Sequence, residues 1–420
     1  MSDRYDPAIR RMMLFFAVVY TVEGIGQAKV GVMWQPLTNF LKSVHGWSPV
    51  QISASLAVLD VPWVIKPLWG LISDFVPLFG YRRRSYLLVA NIAGAAAFLW
   101  VTQVIAPGPL IFALLLTSIA MAVSSTLCGA LLVENGQRHN ASAAFVNQQW
   151  LWFNVALMAA SILGGELIEW LPAAGALHVA AWIAAAAPLA VLICLTLIPE
   201  ERAALDLPEL RRRWLGLVAA FQSRTLWFVA AFLFCYYFSP GFGTPLYFHM
   251  TDNLHFTQGF IGGLSSVNAA GWIAGGLLYR WVLRRLAPLA LLRFSILFGV
   301  VSTLAFLGLV DHVSAVLVYF GAGVAGMIAN IATLTLAAEH CPARAEGFAF
   351  AGLMSVINLA TPLSDTLGAV LYEHVFANHL APLIVVSAAF TGFVLVLIPM
   401  VRTADTSEAR ADPKPMRLIE

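Results

Sequence analysis

Apolar residues arrive along this chain in long blocks parted by short polar turns, with no strand-like alternation. A membrane-spanning helix needs about 20 mainly apolar residues, and twelve blocks meet that requirement. They fall at 11–41, 49–76, 84–105, 109–134, 142–171, 176–198, 223–250, 257–283, 287–310, 312–338, 343–375 and 380–402. Pro49, Pro109 and Pro199 mark boundaries between them. The pattern predicts an all-α membrane protein. Its longest polar interruption, 199–222, carries Glu200, Glu201, Asp206, Glu209 and Arg211 to Arg213. That segment divides the chain into an N-terminal six-helix bundle (1–198) and a C-terminal one (223–402). A polar tail (403–420) follows and is expected to be disordered.

The halves repeat. At an offset of 209, Pro36-Leu37 aligns with Pro245-Leu246, Trp47-Ser48 with Phe256-Thr257, Ile52 with Ile261 and Trp63 with Trp272. At 205, Glu134 aligns with Glu339; at 204, Asn154 aligns with Asn358, Gly164 with Gly368 and Glu169 with Glu373. Parallel six-helix repeats with a solute site near the midplane are a transporter arrangement.

Charge placement orients the spans. Of 420 residues only 11% are charged and 60% are hydrophobic, against about 25% charged in soluble domains. All twenty arginines fall in or beside the termini and the loops near 80, 138, 210, 285 and 343, and Lys42 is the one Lys or Arg in a loop on the other side. The positive-inside rule then places both termini in the cytoplasm. Arg10 and Arg11 precede an apolar run that holds Glu23, Gln27 and Lys29, which reads as a retained first helix and not a signal peptide. The four cysteines show no metal or disulfide spacing, and neither a nucleotide loop nor a catalytic set is apparent. GAGVAG (321–326) lies inside an apolar span and reads as helix packing. No cofactor, metal or nucleic acid is expected, and the protein is not expected to be an enzyme.

Ionisable groups inside spans cost about 2.5–3.5 kcal/mol each on insertion scales, so they mark an interior. Spans 3, 6, 9 and 12 have essentially no charge in their interiors and can face lipid. At 3.6 residues per turn, Glu23, Gln27 and Trp34 share a face of span 1, and Glu23 lies about 18 Å along the helix from Arg11. Asp60, Trp63, Gly70 and Asp74 share a face of span 2, with Lys66 to one side. Either Glu23 or Asp60 is expected to bind a proton during transport, or to pair with Lys29 or Lys66. A permanent ion pair that fixes span 1 on span 2 is the plainer alternative. Gln27, Lys66, Asn154, Asn268, Asn358 and Asp365 are candidate solute contacts, and Trp34 and Trp63 are candidates to stack on a flat heterocycle. The asparagines could equally be interhelical hydrogen bonds.

The stretch KPLWGLISDFVPLFGYRRRSYLL (66–88) resembles the folate–biopterin transporter family of the major facilitator superfamily. Its Gly-x-x-Ser-Asp and arginine cluster match the superfamily loop between helices 2 and 3, and the inserted Phe-Val-Pro-Leu-Phe-Gly-Tyr matches the narrower family. Residues 239–262, 275–286 and 336–359 carry the resemblance into the second half. The aspartate-rich helix 4 of that family is replaced here by SSTLCGALLVE (124–134), which keeps only Glu134. The resemblance implies a twelve-helix major facilitator fold and a gate in which Asp74 pairs with Arg82, Arg83 and Arg84. Glu134 with Arg138 and Glu339 with Arg344 are the further expected gating pairs. It also implies a folate- or pterin-like solute. With the buried acids Glu23 and Asp60 as the reason to expect proton coupling, the chain reads as a monomeric secondary active transporter of the inner membrane. A siderophore or peptidoglycan fragment is the alternative cargo, and a non-transporting receptor or assembly factor the alternative role.

Overall fold

The computed structural model describes residues 6–139, 141–198, 200, 202, 222–341 and 346–399. The linker (apart from Glu200, Arg202 and Gln222), Arg344 and the tail lie outside them. Twelve helical spans form two six-helix halves with the major facilitator fold. Among the described residues, nine spans contain a helix long and apolar enough to cross a bilayer. The other three are broken, and the breaks build the site.

Span 1 is α1 (Pro7–Gly26) and α2 (Trp34–Ser43); span 2 is α3 (Pro49–Val58), α4 (Val61–Val64) and α5 (Lys66–Phe75). Spans 3 to 6 are α6 (Arg84–Val101), α7 (Pro107–Arg138), α8 (Ser142–Trp170) and α9 (Ala173–Cys194). Span 7 is α10 (Arg224–Tyr237) and α11 (Gly243–Asp252). Spans 8 to 12 are α12 (Gln258–Trp281), α13 (Pro288–Ala305), α14 (His312–Glu339), α15 (Glu346–Val370) and α16 (Leu380–Phe393), with a π-helical turn, Leu371–Val375, ending span 11.

Each break has a local cause. In span 1 the chain leaves the helix at Gln27 and folds so tightly that a Cβ at Gly31 would strike the Ile25 carbonyl. In span 2, Pro62 and Pro67 remove the N–H groups that would continue the helix. In span 7 the break is Phe238-Ser-Pro-Gly-Phe242. Spans 1 and 7 are repeat mates, and the same packing supports both. Gly164 of α8 faces the Val32 carbonyl, 2.9 Å from where its Cβ would sit, and its mate Gly368 of α15 touches the Gly241 carbonyl. Val32 and Gly241 are themselves 209 residues apart.

Each half buries two apolar clusters, one toward the arginine-bearing end and one toward the opposite, far end. In the N-terminal half they centre on Phe15, Phe16 and Phe145, and on Phe40, Leu41 and Phe98. In the C-terminal half they centre on Phe232, Leu292 and Ile328, and on Tyr247, Ile261 and Leu383. The segment before α6 that carries the resemblance, 75–81, contains a tight turn. Leu78 and Tyr81 exchange backbone hydrogen bonds of 3.0 Å, and Phe79 and Gly80 adopt positive φ of 52° and 82°. GAGVAG packs as expected, with Gly323 against the Asn268 carbonyl and Gly326 against the Trp272 indole.

Candidate functional site

Three of the breaks converge at mid-depth. Lys29 sits in the break of span 1, and its Nζ lies 2.5 Å from Asp60 Oδ2 and 3.8 Å from Asp365 Oδ2. Asp60 occupies the break of span 2, immediately before α4. Asp365 belongs to α15 and presses on Gly241 in the break of span 7, where a Cβ would collide with its carboxylate. One lysine therefore serves two carboxylates, one from each half. A cavity of about 240 Å³ opens beside them, lined by Gln27, Lys29, Asp60, Trp63, Ser118 and Asn358 among others. The indole N–H of Trp63 donates to Ser118 Oγ at 3.0 Å. The Asn358 side-chain amide crosses between the halves and donates to the Trp63 carbonyl at 3.0 Å, an acceptor that Pro67, four residues on, has no N–H to serve.

Glu23 belongs to a second network. Its Oε1 accepts from Ser125 Oγ (2.9 Å) and Gln27 Nε2 (3.1 Å), while its buried Oε2 has no hydrogen-bond partner among the described residues. Lys66 Nζ donates to Ser125 at 3.0 Å and stands 4.4 Å from the Trp63 ring centroid, within cation–π range. Glu23 thus meets Lys66 through a serine, and Asp60 meets Lys29 directly. Of the expected pairings with Lys29 or Lys66, Asp60 takes the first directly and Glu23 reaches the second through Ser125, in two networks that Gln27 and Trp63 join. The cause is the break after Gly26, which turns Lys29 toward span 2.

The break also separates Trp34 from Glu23. Trp34 begins α2 and packs edge-on against Tyr247 of the other half, ring centroids 6.0 Å apart, away from the cavity lining. Asn154 donates to the Trp150 carbonyl in its own helix (2.7 Å), and Asn268 donates to the Tyr319 carbonyl (3.1 Å), tying α12 to α14. Neither lines the cavity.

At the arginine-bearing end, Arg83 is the buried member of the cluster. It meets Asp74 at 2.6 Å, Glu134 at 2.7 Å and Ser73 Oγ at 2.6 Å. Glu134 therefore pairs with Arg83; among the described residues no ion pair joins it to Arg138. Arg82 and Arg84 enter through their backbone. Glu200, just beyond span 6, accepts the N–H groups of Arg82, Arg83 and Arg84 at 2.9, 2.8 and 2.8 Å. Glu339 ends α14, and its expected partner Arg344 lies outside the described residues. Sequence reasoning did not single out Ser118, Ser125 or Glu200. For Ser125 there was a signal, since it lies in the stretch where the resembled family carries acids.

Comparison with known proteins agrees with this architecture. A model of the BT1 family matches residues 26–414. The "Folate-biopterin transporter" of Synechocystis sp. is 29% identical over 377 residues, covering 86% of this chain and 74% of that protein. "Probable folate-biopterin transporter 2" of Arabidopsis thaliana is 23% identical over 380 residues, covering 84% and 74%. Among solved structures, a D-xylose-proton symporter superposes with a TM-score of 0.72 at 14% identity, over 93% of this chain and 97% of that one. The nucleoside transporter NupG gives 0.67 at 17% identity, over 95% and 99%.

Proposed function

Given that the chain belongs to the BT1 family, we propose that it is a secondary active transporter of a pterin- or folate-like solute. It works by alternating access of the halves 1–198 and 223–402 and is coupled to protons. The observation that carries this reading is the mid-depth cavity between the halves, where Trp63, Asn358 and the Lys29–Asp60–Asp365 group meet at helix breaks. The names of the relatives from Synechocystis and Arabidopsis support the solute class.

The chemistry suits a pterin. A flat heterocycle stacks on the face of Trp63, and its amino and ring N–H edge donates to a carboxylate such as Asp60. The carboxylates of a folate tail suit Lys29. At about 240 Å³ the cavity is below the roughly 300–1,000 Å³ of ordinary ligand pockets. It takes the ring system, and a glutamylated tail extends out of it. A solute carboxylate on Lys29 frees Asp60 to take a proton, and Glu23, with one unpartnered oxygen, is the other proton site. The Arg83–Asp74–Glu134 cluster is the proposed gate at the arginine-bearing end. That end faces the cytoplasm of an inner-membrane protein by the positive-inside rule.

The test is uptake of radiolabelled folate and pterins into proteoliposomes with an imposed pH gradient. Accumulation is expected for the wild type. Asp60→Asn is expected to abolish accumulation while exchange at equal pH stays measurable. Accumulation that persists in both Asp60→Asn and Glu23→Gln overturns the coupling site. Absence of any flux, with binding retained, favours a receptor.

A further inference from the structure

Each half holds the far end of the other with the same contact. Glu169, in the last turn of α8 (span 5), accepts the backbone N–H of Gln258 at 2.6 Å and of Gly259 at 3.2 Å, at the start of α12 (span 8). Glu373, in the π-helical turn that ends span 11, accepts the N–H of Val50 at 3.4 Å, at the start of α3 (span 2). Glu169 and Glu373 are repeat mates at an offset of 204, and Val50 and Gly259 are mates at 209. The helix-capping residues ahead of the contacts, Ser48 and Thr257, are mates as well. One contact is thus made twice by the pseudo-symmetry, and both copies cross between the halves.

The physical attraction is the same in each. The first N–H groups of a helix have no partner in the helix, and they carry the positive end of its dipole. A carboxylate from the opposite half supplies acceptor and charge together. We propose that Glu169 and Glu373 are a matched pair of gating clasps that hold the far end shut and let go when the halves rock. This rests on the alternating-access reading above.

The two clasps are unequal, and the sequence says why. The mate of Gln258 is Pro49, which has no N–H to give. Glu373 therefore holds one N–H at 3.4 Å, whereas Glu169 holds two. Gln258 is also fixed by its side chain, which accepts from Gln35 (2.9 Å) and Tyr247 (2.9 Å). Lys42 flanks the seam with Asp252 and Thr251 of the other half. The span 5–span 8 clasp is the tighter, so it opens last.

Spin labels at V44C and N253C, on opposite halves at the far end, read the gate directly. The background replaces Cys128, Cys194, Cys235 and Cys341 with alanine, and distances are recorded with and without folate. Glu169→Ala is expected to raise the far-open population about ten-fold, the size of losing one capping side chain, and Glu373→Ala about two-fold. Pro49→Ala restores the missing donor and is expected to lower that population. Glu169→Gln keeps an acceptor but loses the charge, so it falls between Glu169→Ala and wild type, and it serves as the test variant if Glu169→Ala does not fold. If the wild type shows two distances and the glutamate variants match it in both, the clasp is overturned. If the wild type shows one distance under every condition, alternating access fails, and the clasp with it.

Discussion

At the scale of single residues, the shared lysine governs the site. Lys29 and Asp60 keep 22% and 19% side-chain exposure. Removing one partner therefore costs less than the roughly 3–5 kcal/mol of a fully buried pair, but leaves Asp60 and Asp365 facing each other uncompensated. Lys29→Met is expected to lower the melting temperature in detergent, and adding Asp60→Asn to recover part of it; a double variant no more stable than the single would show that the lysine acts elsewhere. Trp63→Ala is expected to weaken pterin binding ten-fold or more by calorimetry with a smaller loss of melting temperature, since the indole borders the cavity and is only partly buried where it meets the core. Equal losses would make it a packing residue. Outside the spans, Asp311 caps α14, accepting the Ser314 N–H at 2.8 Å. That N–H and the Ser314 hydroxyl hold its carboxyl below the usual carboxylate range. A depressed value means the cap contributes above the unfolded-state value and fades as pH falls through the folded one. The melting-temperature difference between wild type and Asp311→Ala is expected to shrink toward low pH.

At the scale of elements, the broken spans build the candidate site and small residues make them possible. Gly241 and Gly368 touch backbone to backbone, with no room for a methyl group on either. Gly368→Ala and Gly241→Ala are each expected to reduce the folded yield severely, because the atoms in the way are backbone and a carboxylate. Gly243, two residues on, has open space around its Cβ position. Gly243→Ala is expected to fold normally, and fluorescence size-exclusion profiles distinguish the two outcomes. The breaks also explain which face assignments hold. Asp60 and Trp63 stay together because Asp60 immediately precedes the short helix α4 and Trp63 lies within it. Glu23 and Trp34 part because a non-helical stretch, Gln27 to Met33, intervenes.

At the scale of the molecule, the described polar contacts between halves gather at mid-depth and at the far end: Lys29–Asp365, Asn358–Trp63, Ser266–Met158, Gln35–Gln258, Lys42–Asp252 with Thr251, and the two glutamate clasps. The Arg83 cluster, by contrast, joins spans 2, 3 and 4 of one half. Its proposed gating role acts by stiffening the N-terminal half as one body. Asp74→Asn is expected to alter cysteine accessibility at the arginine-bearing mouth, with Arg83→Ala more destabilising because it strands two acids. Unchanged labelling in Asp74→Asn would remove the cluster from the gate.

The sequence by itself determined the twelve spans, the two halves and their repeat, because burial in lipid demands long apolar blocks and symmetry leaves matched residues at fixed offsets. It also singled out Glu23, Asp60, Trp63, Lys66, Asn358 and Asp365, since charge and amides inside an apolar block are conspicuous. Which acid met which lysine was decided by the tertiary structure alone. Helical periodicity assumes an unbroken helix, and spans 1, 2 and 7 are broken where the site lies. Glu169 and Glu373 were visible as repeat mates, yet their partners are backbone N–H groups. Those carry no side-chain signature and become available only where one half's helix starts opposite the other half's helix end.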